Sequence, residues 1–197
     1  MRITEEIREN LAITADLAGW AEEICKAGNA ILSCLEAGGK LITFGNGGSA
    51  ADAQHFAAEL VGRYRAERKA LAAMALTTDA SALTAIANDY GFDYVFSRQL
   101  EAIGTPMDVV VAFSTSGNSR NVLRGLERAR ELGIARIGLS GKTGGKMRDL
   151  VDVCLCVPSE STARIQEAHT LIVHILAGIV EDAFLARPST HRQSARV

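Results

Sequence analysis

KLITFGNGGSAADAQHFAAEL, Lys40 to Leu60, places an apolar run, a glycine-rich loop and a helix-forming stretch in immediate succession. Lys40–Gly45 reads as a strand with little polar alternation, the pattern of a strand buried on both faces. Ser49 is the expected N-cap of a helix over 50–64. Gly47 and Gly48 allow positive φ and a close approach of backbone to a ligand. Asn46 and Ser49 add side-chain hydrogen bonds, and a helix N-terminus favours negative charge. GNGGSA also fits the dinucleotide fingerprint G-x-G-x-x-G/A. That fingerprint needs an acidic residue about twenty positions on, at the end of the second strand. Glu67 comes before that strand, and Asp79 comes after Thr77-Thr78. The helix also carries Asp52, His55 and Glu59, which a pyrophosphate does not need. Asp52 has a simpler reading, as an acid near a helix start favoured by the dipole. The loop therefore reads as a seat for a small polar anion.

Strand and helix signals alternate along the rest of the chain. Two helices read over 3–37, ended by Gly38-Gly39. LAAMAL (71–76) is a second strand. Asp79 is the expected cap of a short helix through Ile86, leaving Asn88 and Asp89 in a loop, and a further helix is expected over 93–103. DVVVAFS (108–114) is an almost wholly apolar strand, followed by a helix over 118–132 that stops at Gly133. ARIGLS (135–140) and VDVCLCV (151–157) complete five strands. A long helix runs from about Ser161 to Leu185, and the residues from 186 form a polar tail. Strands apolar throughout and alternating with helices imply an α/β fold, a three-layer sandwich around a five-stranded parallel sheet. Ligands of such sheets sit at the C-terminal strand ends.

The 197 residues suit a single domain over 1–197, 48% apolar and 22% charged. The net charge of −2 and the lack of a basic stripe argue against nucleic acid. The longest apolar run, Leu171–Val180, is broken by His174 and is about half a membrane span. MRITEEIREN is too charged for a secretory signal, so the expected location is cytoplasmic. The four cysteines, Cys25, Cys34, Cys154 and Cys156, are then expected as free thiols. Cys154 and Cys156 lie on one face of a strand, where they read as small buried side chains that cannot face each other as a loop pair would.

A second loop, Ser114-Thr115-Ser116-Gly117-Asn118-Ser119, follows the third strand and leads into a helix. Its hydroxyls, its glycine and the helix N-terminus make a cradle for a phosphate monoester. G-x-x-x-x-G-K-[ST] is absent, which disfavours nucleoside triphosphates. His55 and Glu59 lie about 40° apart on one helix face. Gln166 and His174, on the last helix, lie about 80° apart, whereas His169 and His174 lie about 140° apart and do not serve one small site. Two histidines, a carboxylate and an amide oxygen could hold Zn²⁺. Spacing alone leaves a surface pair and a satisfied core histidine open.

GNGGSAADAQHFAAELVGRY, LTAIANDY, FSTSGNS and ARIQEAH together resemble a sugar isomerase (SIS) domain, and more narrowly the phosphoheptose isomerases. The resemblance spans nearly the whole chain, its motifs in order. It implies interconversion of sedoheptulose 7-phosphate and D-glycero-D-manno-heptose 7-phosphate, the first step towards bacterial heptose, lipopolysaccharide included. It implies a homotetramer with active sites between subunits, to which the N-terminal helices contribute. One Zn²⁺ per subunit would take His55, Glu59, Gln166 and His174. The sugar would meet Asn46, Gly47, Gly48, Ser49, Glu59, Asn88, Asp89 and Gln166, and the phosphate Ser114, Thr115, Ser116 and Ser119. Glu59 and His174 would be the catalytic pair, Glu59 as base and His174 as acid. No nucleic acid and no membrane is implied.

Two alternatives share the fold: a non-catalytic tetramer that binds a bacterial replication initiator, and a sugar-phosphate-binding regulator. In the former relative the positions matching Glu59 and His174 are not acid–base residues, and this chain keeps both. The last helix is apolar around much of its circumference, more than one packing face needs, which also favours an oligomer.

Overall fold

A computed structural model describes residues 2–186. The tail expected from residue 186 lies, beyond Ala186, outside the described residues. Two N-terminal helices, α1 (Arg2–Asp16) and α2 (Ala21–Glu36), precede the sheet and are joined by a 3₁₀ turn at Leu17–Trp20. The sheet alternates β1 (Leu41–Gly45), α3 (Gly48–Val61), β2 (Ala73–Ala75), α4 (Ala80–Asp89), α5 (Ser97–Ile103), β3 (Val109–Ser114), α6 (Arg120–Glu131), β4 (Ala135–Gly141), β5 (Val153–Val157) and α7 (Thr162–Leu185). All strand pairings are parallel, in the order β2-β1-β3-β4-β5.

The two-residue period of each strand divides its side chains between two cores. Leu41 on β1 and Val109, Val111 and Phe113 on β3 face one way, into a cluster with Ile31, Phe56, Leu60, Ile172 and Leu176 from α2, α3 and α7. Ile42, Phe44, Val110 and Ala112 face the other way, onto Phe96, Leu100, Val122 and Leu126 from α5, α6 and the segment before α5. Both faces are covered, which is why these strands read as unbroken apolar runs. Strand order reverses direction between β1 and β3, and the loops leaving their C-terminal ends flank that switch point, where open α/β sheets bind ligands.

Several boundaries differ from those expected. Gly47, not Ser49, is the N-cap of α3, with φ 58° and ψ −123°, a conformation that glycine alone adopts cheaply. Ser49 is instead buried within the first helical turn. Strand β2 shrinks to three residues: Leu71 N turns back to Leu60 O at the end of α3, while Leu76 N donates to Thr43 O of β1 as the last bond of the ladder. Helix α4 is capped by Asp79, which accepts from Ala82 N at 2.9 Å, but it runs on through Asp89. Asn88 and Asp89 are thus helical, not in a loop. The helix expected over 93–103 divides into a 3₁₀ turn, Phe92–Tyr94, and α5, with Val95 and Phe96 between them buried in the second core.

Helix α3 stops at Val61 rather than continuing to 64, and the reason lies in α7. The buried Glu181 carboxylate accepts from the backbone N–H of Tyr64, Arg65 and Ala66 at 2.8–3.0 Å. It also receives Arg68 Nε at 3.1 Å. Arg68 in turn donates to Leu60 O at 2.8 Å and Glu59 O at 2.7 Å, carbonyls at the end of α3. Burial pushes Glu181 up, but three backbone donors and the Arg68 charge outweigh it and hold the carboxyl below its ordinary range.

Helix α7 is long and apolar enough by composition to cross a membrane, yet it serves as the central core helix, with ten residues buried in this domain. Helix α1 buries nothing and exposes Ile3, Ile7 and Leu11 along one face. It is fastened through Arg164 of α7, whose Nη1 reaches Glu6 O and Oε2 at 2.7 and 2.8 Å.

The Arg68 and Glu181 side chains are only 4% and 2% exposed. Arg68→Ala leaves a buried carboxylate without its counter-charge and is expected to lower stability by about 3–5 kcal/mol in urea unfolding. Replacing both partners, Arg68→Met with Glu181→Leu, is expected to recover none of that loss, because it also strips three backbone N–H groups of their acceptor. A single-variant loss below about 1 kcal/mol would mark the pair as no better than a surface bridge.

Candidate active site

The β1 and β3 loops line a cavity of about 300 Å³. Its wall comprises Asn46, Gly47, Gly48, Ser49, Ser114, Thr115, Ser119 and Gln166, all singled out from the sequence, together with Phe113 and Thr162. The two loops are tied by a reciprocal amide pair. Asn46 Nδ2 donates to Asn121 Oδ1, and Asn121 Nδ2 to Asn46 Oδ1, both at 2.8 Å. Asn121 is buried one residue into α6 and was not foreseen, since only its distant partner marks it out. Ser114 Oγ and Ser119 Oγ lie 3.1 Å apart. Ser119 is the N-cap of α6 but makes no side-chain cap bond, so its hydroxyl is not spent on the helix. Hydroxyl donors and the N-terminal turns of α3 and α6 around one hollow suit a phosphate without any lysine.

Ser116 does not line this cavity. Its Oγ accepts from Asn118 N at 3.1 Å, within the loop's own turn. Asn88 and Asp89 are exposed at the end of α4, bonded to each other at 2.8 Å and outside the cavity of this chain.

A second cluster lies further along the same pair of helices. Helices α3 and α7 run side by side in the same direction, matched step for step. Gly48 lies against Gln166, and a Cβ there would come 2.5 Å from Gln166 Nε2. Four residues on, Thr170 donates its hydroxyl to Asp52 Oδ1 at 2.8 Å. Another turn on, His55 Nε2 and His174 Nε2 lie 2.8 Å apart. Glu59 Oε1 lies 3.5 Å from His55 Nε2, and one ligand atom each from His55, Glu59 and His174 falls within 4.8 Å of the others. The imidazoles meet edge to face, with centroids 4.9 Å apart.

This donor set fits a metal ion. Two imidazole nitrogens and a carboxylate converge on one point, and ligands on a tetrahedral Zn²⁺ sit about 3.3 Å apart. The facing nitrogens would therefore separate by about 0.5 Å to admit the ion. Gln166, the fourth expected ligand, lines the loop cavity instead and lies about 12 Å of helix rise before His174, so it does not join the triad within this chain.

The surroundings of the triad hold residues that sequence reasoning missed or read otherwise. Tyr64 stacks on the His174 ring at 5.6 Å and 16°, and the Arg65 guanidinium covers Tyr64 at 4.6 Å. Asp52 is not a first-turn acid; it is buried against α7 in the second turn, and burial pushes its carboxyl up despite the Thr170 bond. His169, as its angular offset implied, stays out of the cluster. It is fully buried, its Nε2 lies 3.1 Å from Ser140 O, and burial lowers its pKa to about 4.

A model of the SIS domain family matches residues 7–141, and the chain belongs to that family. Within it the chain belongs to the phosphoheptose isomerases. It is 55% identical to a phosphoheptose isomerase of Campylobacter jejuni over 92% of this chain and 98% of the relative. It is 54% identical to that of Rhodospirillum rubrum over 91% and 97%. The solved phosphoheptose isomerase of Neisseria gonorrhoeae superposes with a TM-score of 0.87 at 45% identity, covering 92% of this chain and 97% of that one.

Gly48→Ala tests the contact between the glycine loop and Gln166. The clash is with the far end of a flexible side chain, so stability is expected to change by less than about 1 kcal/mol. The displaced Gln166 is expected to cost at least about tenfold in kcat/KM. An unchanged kcat/KM would show that Gln166 need not stand where Gly48 lets it stand.

Proposed function

We propose that the protein interconverts sedoheptulose 7-phosphate and D-glycero-D-manno-heptose 7-phosphate through an enediol, as a phosphosugar isomerase feeding bacterial heptose synthesis. The observation that carries this reading is the in-register pairing of α3 and α7. It puts a hydroxyl-lined anion cavity and the His55–Glu59–His174 cluster on one rigid pair of helices. A ketose–aldose isomerase needs both parts: a grip on the phosphate and a proton carrier at the adjacent carbons.

In this mechanism Ser114, Thr115 and Ser119 hold the phosphate with the α6 N-terminus. Ser116 joins them on rotating its hydroxyl out of the turn. Asn46, Gly47, Gly48 and Ser49 seat the sugar, and Gln166 orients it. The Glu59 carboxylate takes the proton from one carbon and returns it to its neighbour. His174 donates to the ring oxygen as the sugar opens and then serves the carbonyl oxygens as acid. Tyr64, stacked on His174, holds that ring's plane. His55, Glu59 and His174 would hold one Zn²⁺ per subunit, which would supply Lewis acidity at the substrate oxygens when bound, while Gln166 is left to the sugar. A carboxylate on a metal is less basic than a free one, so Glu59 works as base when it binds loosely or swings free.

Asn88 and Asp89 lie outside the loop cavity of their own chain, which supports active sites completed between subunits of a homotetramer. The exposed Ile3, Ile7 and Leu11 stripe on α1 supplies an apolar face for such an assembly. All four cysteines are free thiols, which agrees with a cytoplasmic setting.

Glu59→Gln is expected to abolish turnover of sedoheptulose 7-phosphate, followed by NMR, while binding of the sugar phosphate persists. Near-normal turnover would remove Glu59 from the base role. Chelation is expected to lower the wild-type rate, and zinc to restore it. No conversion with or without chelator would favour the initiator-binding reading. Light scattering is expected to give a particle near four times the 20.9 kDa chain. A stable monomer would undercut shared sites.

A further inference from the structure

Cys154 and Cys156 lie on β5, the edge strand, on the face turned towards the 3₁₀ helix Gly145–Leu150. They share a face, as their spacing required, but their sulfurs lean together to 3.3 Å. Both side chains are half-buried rather than fully enclosed. The expectation that they cannot face each other fails because side-chain torsion closes most of the distance that about 6.6 Å of strand leaves open.

The turn Lys142–Gly145 lies directly over this pair. Lys142, Gly144 and Gly145 all have positive φ, at 56°, 89° and 54°. A Cβ on Gly144 would come 2.8 Å from Cys156 Sγ and 3.4 Å from Cys154 Sγ. The opposite side of the same turn presses on the hydroxyl loop. A Cβ on Gly117 would come 1.9 Å from Gly144 O, and one on Gly145 would come 2.6 Å from Ser116 O. Lys146 N donates to Asn118 Oδ1 at 3.2 Å, and Met147 N to Gly117 O at 3.0 Å. No slack separates the two sulfurs from the loop Ser114–Ser119.

We propose that Cys154 and Cys156 form an oxidisable dithiol that a peroxide converts to an intrachain disulfide, and that this change reaches the hydroxyl loop through the turn 142–145. The first part stands on the thiol geometry alone. The second rests on the reading of that loop as the phosphate site.

The chemistry balances with one equivalent of peroxide. The Cys156 thiolate attacks a peroxide oxygen, hydroxide leaves, and Cys156 becomes a sulfenic acid. Cys154 sulfur then attacks the Cys156 sulfur, and water leaves as the S–S bond forms. Two thiols are oxidised, and the peroxide is reduced to two waters. The Cys154 S–H bond favours the Cys156 thiolate, as does the Arg148 charge, and together they outweigh burial and bring Cys156 down to about 7. The proton shared with that thiolate pushes Cys154 up. A dithiol reductant reverses the change, as expected for a transient cytoplasmic disulfide. Closing the bond draws the sulfurs to about 2.05 Å and requires a strand span near the upper Cα limit of about 6.8 Å. Strand β5 pairs only with β4, so it can pucker, and the Gly144 turn must then move.

The test uses the full chain carrying Cys25→Ser, which removes the exposed thiol that would link separate copies. After hydrogen peroxide and then alkylation, the tryptic peptide 149–164 is expected to lack two hydrogens and to carry no alkyl group. Dithiothreitol is expected to restore both alkylation sites. Adding Cys154→Ser or Cys156→Ser is expected to abolish the change. Alkylation of both thiols after peroxide, or oxidation of one without a bridge, would overturn the dithiol. Inorganic phosphate binding, measured by calorimetry, is expected to weaken about tenfold in the oxidised protein, the equivalent of one lost cradle hydrogen bond. A bridge formed with unchanged phosphate affinity would overturn the coupling. Phosphate bound by neither form would instead sink the reading of the loop, and the peptide mass would still decide the dithiol.

Discussion

The Glu181 carboxylate is the fixed point from which the site is measured. It sits buried on the penultimate turn of α7 and gathers three backbone N–H groups and the Arg68 guanidinium. Arg68 passes the constraint on to the Glu59 and Leu60 carbonyls, and so to the end of α3. Two helices more than a hundred residues apart in sequence are thereby locked in longitudinal phase. Gly48 against Gln166, Asp52 against Thr170 and His55 against His174 all follow from that phase. The same clamp sets Tyr64 onto the His174 ring. Chemistry that needs a proton carrier held within a few tenths of an ångström gains from groups on rigid helices rather than on loops.

The anion cavity reflects a different economy. It has hydroxyls, glycines and helix N-termini but no lysine or arginine in its wall. A hollow of neutral dipoles would grip an anion with less net charge than a lysine or arginine would, which suits a ligand that must be released again. The reciprocal Asn46–Asn121 pair keeps the two loops at a fixed separation without occupying any of those donors.

Much of this was legible from the chain because buried parallel strands and their loops leave local signatures. Leu41–Gly45 and Val109–Ser114 announced themselves as apolar runs, and the loops after them carried their ligand-type residues in sequence order. His55 and Glu59 were legible as a helical pair, and the offset of His169 from His174 separated a core histidine from a site one. What escaped depended on distant partners. Glu181, Arg68 and Asn121 look like ordinary surface polar residues until the fold buries them. Ser49 gave a good capping signal, but the conformational freedom of Gly47 moved the helix start back past it. Asn88 and Asp89 were placed at the site by resemblance, and their own chain holds them away from the cavity, which sequence spacing had no means of showing.

The parallel phase of α3 and α7 makes length, rather than composition, the quantity most strictly held in two segments. One residue inserted between Gly48 and Glu59, or between Gln166 and His174, advances everything beyond it by about 1.5 Å and rotates it by about 100°. That rotation would swing an imidazole clear of its partner while leaving each helix perfectly good as a helix. Drift in the outward-facing residues of α3 and α7 is cheap, because it leaves the rungs where they are. An insertion away from both spans and from the Glu181 clamp, such as in the turn between α6 and β4, shifts nothing that must meet across the pair.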